Sequence, residues 1–514
     1  WRERGRESGG PERVRDIYRE RMDAWTAVAY GAAAVAVAYV AVQALRLARS
    51  FQEFHAIGKE IESIPEVPGA LPVFGHLFEM LKGPPWDIIS QWVLDYGPIV
   101  RFSFFNNHIV GISDREMLRR ALQSKFQVYH KDTDTYGPFM CLLGTGLVTS
   151  EGELWRKQRS LISAAFRVDI LTEVKNISKH ATDRLAAKLL PHRQDGTAVE
   201  LGEEFRKLTL QVIGEAVLSL EPEESDRVFP ELYLPIVTEA NLRTFYPYRK
   251  FLPIPATLRH NKAVQVLNAY VTNLINDRHA RYLKGDRPSD ILDRILDGAR
   301  EVEWGSATVR QLRDEIKTFL FAGHETSSSM LTWTIYELSL PENAEHLAAV
   351  RAEADALFGK EGCRWDELDF DEVKKGLEYS SNCLKEALRK YSVVPLVTRE
   401  LAQDDEIADG IVLPKGCKLI IPVQAVHRDE RLWPDPEKYD PRRFEAKIDT
   451  YAFLPFIAGP RSCVGQYFAL LETKIVLALL LQKFTFEPAP GNVGEKHIKQ
   501  IPVCPLDNLR MLVK

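Results

Sequence analysis

The chain has 514 residues, 45% hydrophobic and 27% charged, a composition that supplies a large apolar core and excludes wholesale disorder. A formal net charge of −5 removes the electrostatic basis for nucleic-acid binding. The six cysteines, Cys141, Cys363, Cys383, Cys417, Cys463 and Cys504, form no Cys-x-x-Cys pair, which argues against a structural zinc site and fits a reducing compartment.

Residues 1–23 mix seven arginines with six acidic residues and read as a solvated, charged lead, since a transit peptide avoids acids. Ala24 to Leu45 follow as 22 uncharged residues rich in Ala and Val, long enough to span a membrane as one helix. Residues 46–72 form a linker that ends in a hinge, where Pro65, Pro68 and Pro72 exclude helix and favour a stiff extended chain. The body, 73–514, is expected to be one mainly α domain with a small β-rich subdomain: apolar residues recur mostly with helical period, and alternation is brief, as at Ile99–Ser103, His108–Ile112 and Lys418–Pro422. No repeat or later linker divides it. Gly144-Thr145-Gly146 opens like a dinucleotide loop, but Thr149 stands where the third glycine belongs and no βαβ pattern surrounds it.

Four stretches of the body carry chemistry. Trp155 and Arg159 stand four apart, on one helix face. Val309 to Leu338 is an apolar-periodic run stopping short of Pro341, a helix of about 45 Å at 1.5 Å per residue. In its middle lies Ala322-Gly323-His324-Glu325-Thr326, where a Thr hydroxyl bonding back to the Ala322 carbonyl would open a local groove. Glu386 and Arg389 pair at i, i+3. In Phe456-Ile457-Ala458-Gly459-Pro460-Arg461-Ser462-Cys463-Val464-Gly465, a cysteine sits where a loop becomes the apolar helix Tyr467–Leu481. Unpaired N–H groups and the positive helix end there favour a thiolate.

This last segment resembles the cysteine loop of the cytochrome P450 family, Phe-x-x-Gly-x-Arg-x-Cys-x-Gly, at all five fixed positions. The resemblance runs from about Pro65 to the C-terminus and implies a cytochrome P450 fold preceded by one transmembrane helix. Cys463 would be the axial ligand of haem b, Phe456 would shield the sulfur, Gly459 and Gly465 would let the backbone approach the macrocycle, and Arg461 would pair with a propionate. Trp155, Arg159, Arg399 and His427 would add propionate contacts. Ala322 and Gly323 would border the haem, and Thr326 with Glu325 would form the proton relay of oxygen activation. Glu386, Arg389 and Arg443 of Pro441-Arg442-Arg443-Phe444 would form a structural network, although Arg442 replaces the family's usual Glu. His324 falls at a variable position and reads as a packed histidine. Arg156 and Lys157 would lie on a solvated surface or help receive an acidic redox partner.

The resemblance further implies a monooxygenase tethered to the lipid bilayer, at the endoplasmic reticulum with a cytosolic body or at a plastid membrane. NADPH would act through a cytochrome P450 reductase or a ferredoxin-type donor, because no flavin-binding extension follows Cys463. Leu142, Val393, Val394, Leu396 and Val503 would line the pocket for a lipophilic substrate such as a fatty acid, carotenoid or sterol; Ala322 stands where some fatty-acid hydroxylases carry a haem-esterifying Glu. An O2-independent isomerase or dehydratase acting on lipid peroxides, and a non-catalytic haem-binding protein, are the alternatives.

Overall fold

The structure, a computed structural model, describes residues 37–39, 41–43, 45–46, 48–105, 107–166, 168–245, 249, 254–299, 303–360, 363–491, 502–505 and 509–514. The charged lead and most of the span expected as an anchor lie outside them. No helix among the described residues is long and apolar enough to cross a membrane. Residues 48–60 are helical and exposed over most of their surface.

The helices that frame the body are α1 (Pro85–Tyr96), a short α2 (Met140–Leu143), α3 (Gly152–Ala165), α4 (Val168–Asp195), α5 (Leu201–Leu218), α6 (Leu234–Phe245), α7 (Pro255–Leu283), α8 (Ser306–Ser339), α9 (Ala344–Phe358), α10 (Glu378–Tyr391) and α11 (Gln466–Lys483). The long helix expected over 309–338 is α8, and the one expected after the cysteine loop is α11. α8 ends because Leu340 takes an extended conformation ahead of Pro341, the conformation a following proline imposes. Its C-terminal turns from Ser327 onward are buried nearly all round, including Leu331, Trp333 and Leu338, as befits a helix enclosed by others. α5, α7, α10 and α11 pack against it.

Strands β1 (Ile99–Phe104), β2 (Asn107–Ile112), β3 (Tyr129–His130), β4 (Val199–Glu200), β5 (Leu396–Leu401), β6 (Asp405–Ala408), β7 (Ile411–Leu413), β8 (Lys418–Pro422), β9 (Phe486–Pro488) and β10 (Arg510–Val513) form a five-stranded sheet in the order β1-β2-β8-β5-β3, a three-stranded sheet β4-β10-β9 and the hairpin β6-β7. The proline hinge is stitched to the larger sheet. Val67 N–H donates to the Arg101 carbonyl at 3.0 Å and Arg101 N–H to that of Pro65 at 2.8 Å, while Arg101 pairs with Glu66 at 2.7 Å.

α10 delivers the buried ion network. Glu386 and Arg389, both wholly buried, pair at 2.8 Å, and Arg443 reaches Glu386 at 3.3 Å. Arg389 also donates to the His427 carbonyl at 3.0 Å and the Lys438 carbonyl at 3.2 Å, and Asp440 N–H donates to Glu386 at 2.9 Å. Removing one member leaves the other charge buried and uncompensated, so Glu386→Ala is expected to cost about 3–5 kcal/mol, read as a lowered denaturation midpoint by circular dichroism; an unchanged midpoint would show that the pair carries no structural weight.

Candidate active site

The cysteine loop is pressed onto the chain at Leu122. Gly459 has φ +74, and a Cβ there would lie 2.0 Å from the Leu122 carbonyl oxygen, so this position requires glycine. Residues Gly459–Arg461 form one 3-10 turn, Ser462 N–H returns to the Gly459 carbonyl at 3.0 Å, and Cys463 N–H donates to the Phe456 carbonyl at 2.9 Å. Cys463 is thereby fixed just before the first turn of α11. Its side chain keeps an exposed surface yet sits deep among protein atoms, and that depth pushes its pKa above the ordinary value, while the Gly465 N–H and the Arg159 charge pull toward the thiolate. Gly465 carries no side chain against the sulfur: an added Cβ would stand 4.0 Å from Sγ.

Beside this loop the fold gathers positive charge. Arg461 stacks its guanidinium 3.9 Å from the Trp155 ring, donates to the Ser150 carbonyl at 2.9 Å and pairs with Glu151. Arg399 is buried at the sheet, and Lys131 lies 4.5 Å from the Tyr136 ring. Burial first and then the Arg399 charge bring Arg461 down to about 10. Lys131 is lowered by burial and by Arg399 and Arg461. Burial alone would raise the Tyr136 phenol, but Lys131 and Arg399 outweigh it and draw it toward ionisation. Three cations thus share one carboxylate, Glu151, in a low-dielectric setting where such an excess is costly without an anion. Lys131 and Tyr136 are not among the residues expected from sequence; Lys131 directly follows β3 and Tyr136 closes the one-turn helix Thr133–Tyr136, and only their proximity to Arg399 and Arg461 marks them.

The middle of α8 borders an open cleft, since Ala322 is exposed in a helix whose flanking turns are buried. The Thr326 hydroxyl donates to the Ala322 carbonyl at 2.6 Å, the i−4 bond that loosens a helix locally. An added Cβ at Gly323 would meet Ile213 at 2.8 Å, so glycine there permits close packing with α5. Glu325 is buried and faces away from that cleft, with Oε1 3.4 Å from His324 Nε2. Burial would raise its pKa, but His324 and Arg206 outweigh that and hold it below the usual carboxylate range.

Other expected residues are placed differently. Arg159 donates to the Ser462 carbonyl at 2.7 Å, tying α3 to the cysteine loop, so its charge is turned toward Cys463. His427 lies in the interior: Nδ1 meets the Ser392 hydroxyl at 3.0 Å and Nε2 accepts from Leu454 N–H at 2.8 Å, while burial and Arg389 bring its pKa to about 3. Neither ring nitrogen is left for a cofactor carboxylate, and His427 instead braces the segment leading into the cysteine loop. Val393 and Val503 are buried and joined by a 2.8 Å backbone bond. Leu142 packs in the same core as Val393, whereas Val394 and Leu396 pack against two other clusters.

The cytochrome P450 family profile matches residues 65–507. Among curated proteins, the chain is 28% identical to human "Cytochrome P450 4B1" over 472 residues, covering 88% of this chain and 90% of that protein. It is 27% identical to the human "Ultra-long-chain fatty acid omega-hydroxylase" over 471 residues, 86% of each chain. With the chloroplastic "Carotene epsilon-monooxygenase" of Arabidopsis thaliana it shares 30% identity over 466 residues, 84% of this chain and 82% of that one.

The chain belongs to the cytochrome P450 family.

It is accordingly an oxidoreductase of the monooxygenase class, and the mainly helical body with its small sheets is the cytochrome P450 fold. The family implies a haem-thiolate cofactor, and the residues present fit one: a cysteine at a helix start with a backbone N–H aimed at sulfur, and an under-neutralised cation group suited to two carboxylates. Gly459→Ala is expected to break the contact with Leu122, costing about 1–3 kcal/mol from the left-handed backbone alone and more from the clash. Haem-to-protein ratio and thermal midpoint should fall together; retention of both would contradict the close packing of this loop.

Proposed function

We propose that the chain is a haem-thiolate monooxygenase that inserts one atom of O2 into a lipophilic organic substrate, with NADPH-derived electrons delivered by a separate reductase or a ferredoxin-type donor. The observation that carries this reading is the cysteine loop itself: Cys463 stands just before the first turn of α11, its N–H bonded to the Phe456 carbonyl at 2.9 Å, beside the Lys131, Arg399 and Arg461 cation group. A bound haem would supply oxygen activation. Cys463 would hold its iron through sulfur, and Lys131, Arg399 and Arg461 would hold its carboxylates.

The chain's own part in the chemistry is proton supply. His324 Nδ1 lies 2.7 Å from the Leu320 carbonyl, and because a carbonyl only accepts, Nδ1 carries hydrogen. Nε2 lies 3.4 Å from Glu325 Oε1 without completing a hydrogen bond, and against the effect of burial this contact and Arg206 hold the Glu325 carboxyl below the usual carboxylate range. Glu325 adjoins Thr326, and as an ionised carboxylate it would take up a proton from water and, on rotating out of the α5 interface, hand it to the cleft side of α8. His324, a packed histidine in the sequence reading, becomes a positioning residue for Glu325.

A lipophilic substrate is supported by apolar Leu142, Val393 and Val503, and by relatives named for fatty acid and carotene oxidation. Residues 24–45 would anchor the catalytic body, 73–514, to the endoplasmic reticulum facing the cytosol, or to a plastid membrane.

The reduced, carbon monoxide-bound difference spectrum tests the reading. The wild type should give the long-wavelength Soret band of thiolate ligation and Cys463→Ser should lose it; a wild type that binds no haem overturns the assignment. With NADPH and a reductase, Glu325→Gln should lower product formed per NADPH consumed by roughly 10²-fold, the usual worth of a positioned proton donor, while leaving the spectrum unchanged. Turnover of a lipid peroxide that needs no NADPH would favour an isomerase instead.

A further inference from the structure

Gly144-Thr145-Gly146, which opens like a dinucleotide loop but lacks the third glycine, has another use in the fold: it is pressed onto the first half of α8. A Cβ at Gly144 would lie 2.0 Å from Asp314 Oδ2, and one at Gly146 would lie 2.2 Å from Thr318 Oγ1, so side chains at these positions would lift the chain off the helix. Two adjacent carboxylates of α8 receive the loop's N–H groups. Thr145 N–H donates to Asp314 at 3.2 Å and Leu147 N–H to Glu315 at 2.9 Å. Gln311 donates to Glu315 at 2.9 Å and to the Thr145 carbonyl at 3.2 Å.

The two carboxylates differ in how they are neutralised. Asp314 is met by Arg313 and Lys317, both at 3.1 Å. Lys317 is in turn faced by Asn268 of α7 at 2.8 Å and by the Cys141 thiol of α2. Glu315 is 3% exposed, and the loop and Gln311 meet it with uncharged groups. Burial first, then the neighbouring Asp314 charge, bring it up from 4.5 to about 7, against the pull of the Leu147 N–H and Gln311.

The loop ties the cleft to the haem-side charges. Gly144 ends α2, its N–H bonded to the Met140 carbonyl at 2.9 Å. α2 carries Leu142 and packs on α8. Phe139, just ahead of α2, meets Phe321 with ring centroids 5.6 Å apart, next to exposed Ala322. On the other side, Gln158 of α3 donates to the Thr145 carbonyl at 2.8 Å, and Arg461 holds the Ser150 carbonyl. A loop lifted from α8 therefore carries α2 away from the cleft while its far end stays fixed.

We propose that Glu315 is a proton-sensitive latch: its neutral form seats the 144–147 loop and α2 against α8, and its ionised form releases them, so that proton uptake closes this end of the cleft to a lipophilic substrate. What enters the cleft rests on the monooxygenase reading; the latch rests on the loop contacts alone. Linkage fixes the direction. A lifted loop returns Glu315 to water and to the ordinary 4.5, whereas the seated loop holds it near 7, so the seated state binds the proton more tightly. Seating is strongest below 4.5, weakens as pH rises toward 7 and changes no further above it.

Hydrogen exchange read by mass spectrometry on full-length, haem-loaded protein tests the latch, after the carbon monoxide spectrum is recorded. Entry of dodecan-1-ol, whose charge does not change with pH, is followed alongside by stopped-flow absorbance. Between pH 6 and pH 8, protection of the 140–147 amides, corrected for intrinsic exchange, should fall roughly tenfold, and the entry rate should rise by a similar factor. Glu315→Gln stays neutral and keeps an acceptor for Leu147 N–H, so it should hold at the higher pH the protection it has at the lower. Wild-type protection that does not change with pH, or that falls equally in Glu315→Gln, overturns the latch. An entry rate that ignores the change in protection overturns the closure of the cleft. A wild type without the thiolate band overturns the monooxygenase reading instead, and the exchange comparison still decides the latch.

Discussion

Arg389 is a guanidinium with no exposed surface, and the rest of the haem-side core is arranged around neutralising it. Glu386 supplies the counter-charge from the same helix, so the pair forms as soon as α10 does. The remaining donors then dictate where later chain must pass: a guanidinium has five N–H groups in a fixed fork, and here they capture the carbonyls of His427 and Lys438. That fixes the segment between β8 and the cysteine loop, with Trp433 beneath the guanidinium at 5.6 Å and His427 bonded to Leu454. Cys463 is therefore located by a charge constraint set some 70 residues earlier in the chain. Departure from the usual Glu at Arg442 costs this network nothing visible, because Arg442 turns outward and pairs with Glu345 at 2.8 Å, both half exposed.

α8 performs two tasks that pull in different directions. As the central element it must be buried on most sides, and its residues from Ser327 to Leu338 satisfy that. At 322–326 it must also present polar backbone to a cleft. The conflict is resolved by side chain rather than by breaking the helix: Thr326 occupies the Ala322 carbonyl, Gly323 admits Ile213, and Thr209 of α5 donates to the His324 carbonyl at 2.9 Å. Polar groups that would destabilise an isolated helix interior are thus paired across the α5 contact.

The parts of this arrangement legible in the sequence are those with a local signature. α8 and α11 follow from long apolar periodicity bounded by a proline and a cysteine loop, and β8 appears at the expected residues as a short apolar run, Leu419 to Ile421 being buried on both faces. β5, Leu396–Leu401, was not marked: it contains Thr398, Arg399 and Glu400, and only pairing with β8 and β3 makes it a strand. The cation group was half legible. Arg399 and Arg461 lie near recognisable motifs, whereas Lys131 gains its meaning from side chains about 270 and 330 residues away. His427 is expected as a cofactor contact from the family resemblance alone; its ring is claimed by Ser392 and Leu454, which no spacing rule reveals.

Two buried cation groups obey one physical rule and differ in how their hydrogens are used. Around Lys131, Arg399 and Arg461 only Glu151 opposes three charges, an imbalance suited to a dianion. Around Arg389 the guanidinium spends its hydrogens on Glu386 and on the carbonyls of His427 and Lys438. Burial makes the first imbalance expensive. A fold that opposes three cations with one carboxylate in one place, while enclosing Arg389 among acceptors in another, separates charges that serve the scaffold from charges held for a ligand. The distribution of acceptors around buried cations, more than any single residue, distinguishes structure from site in this chain.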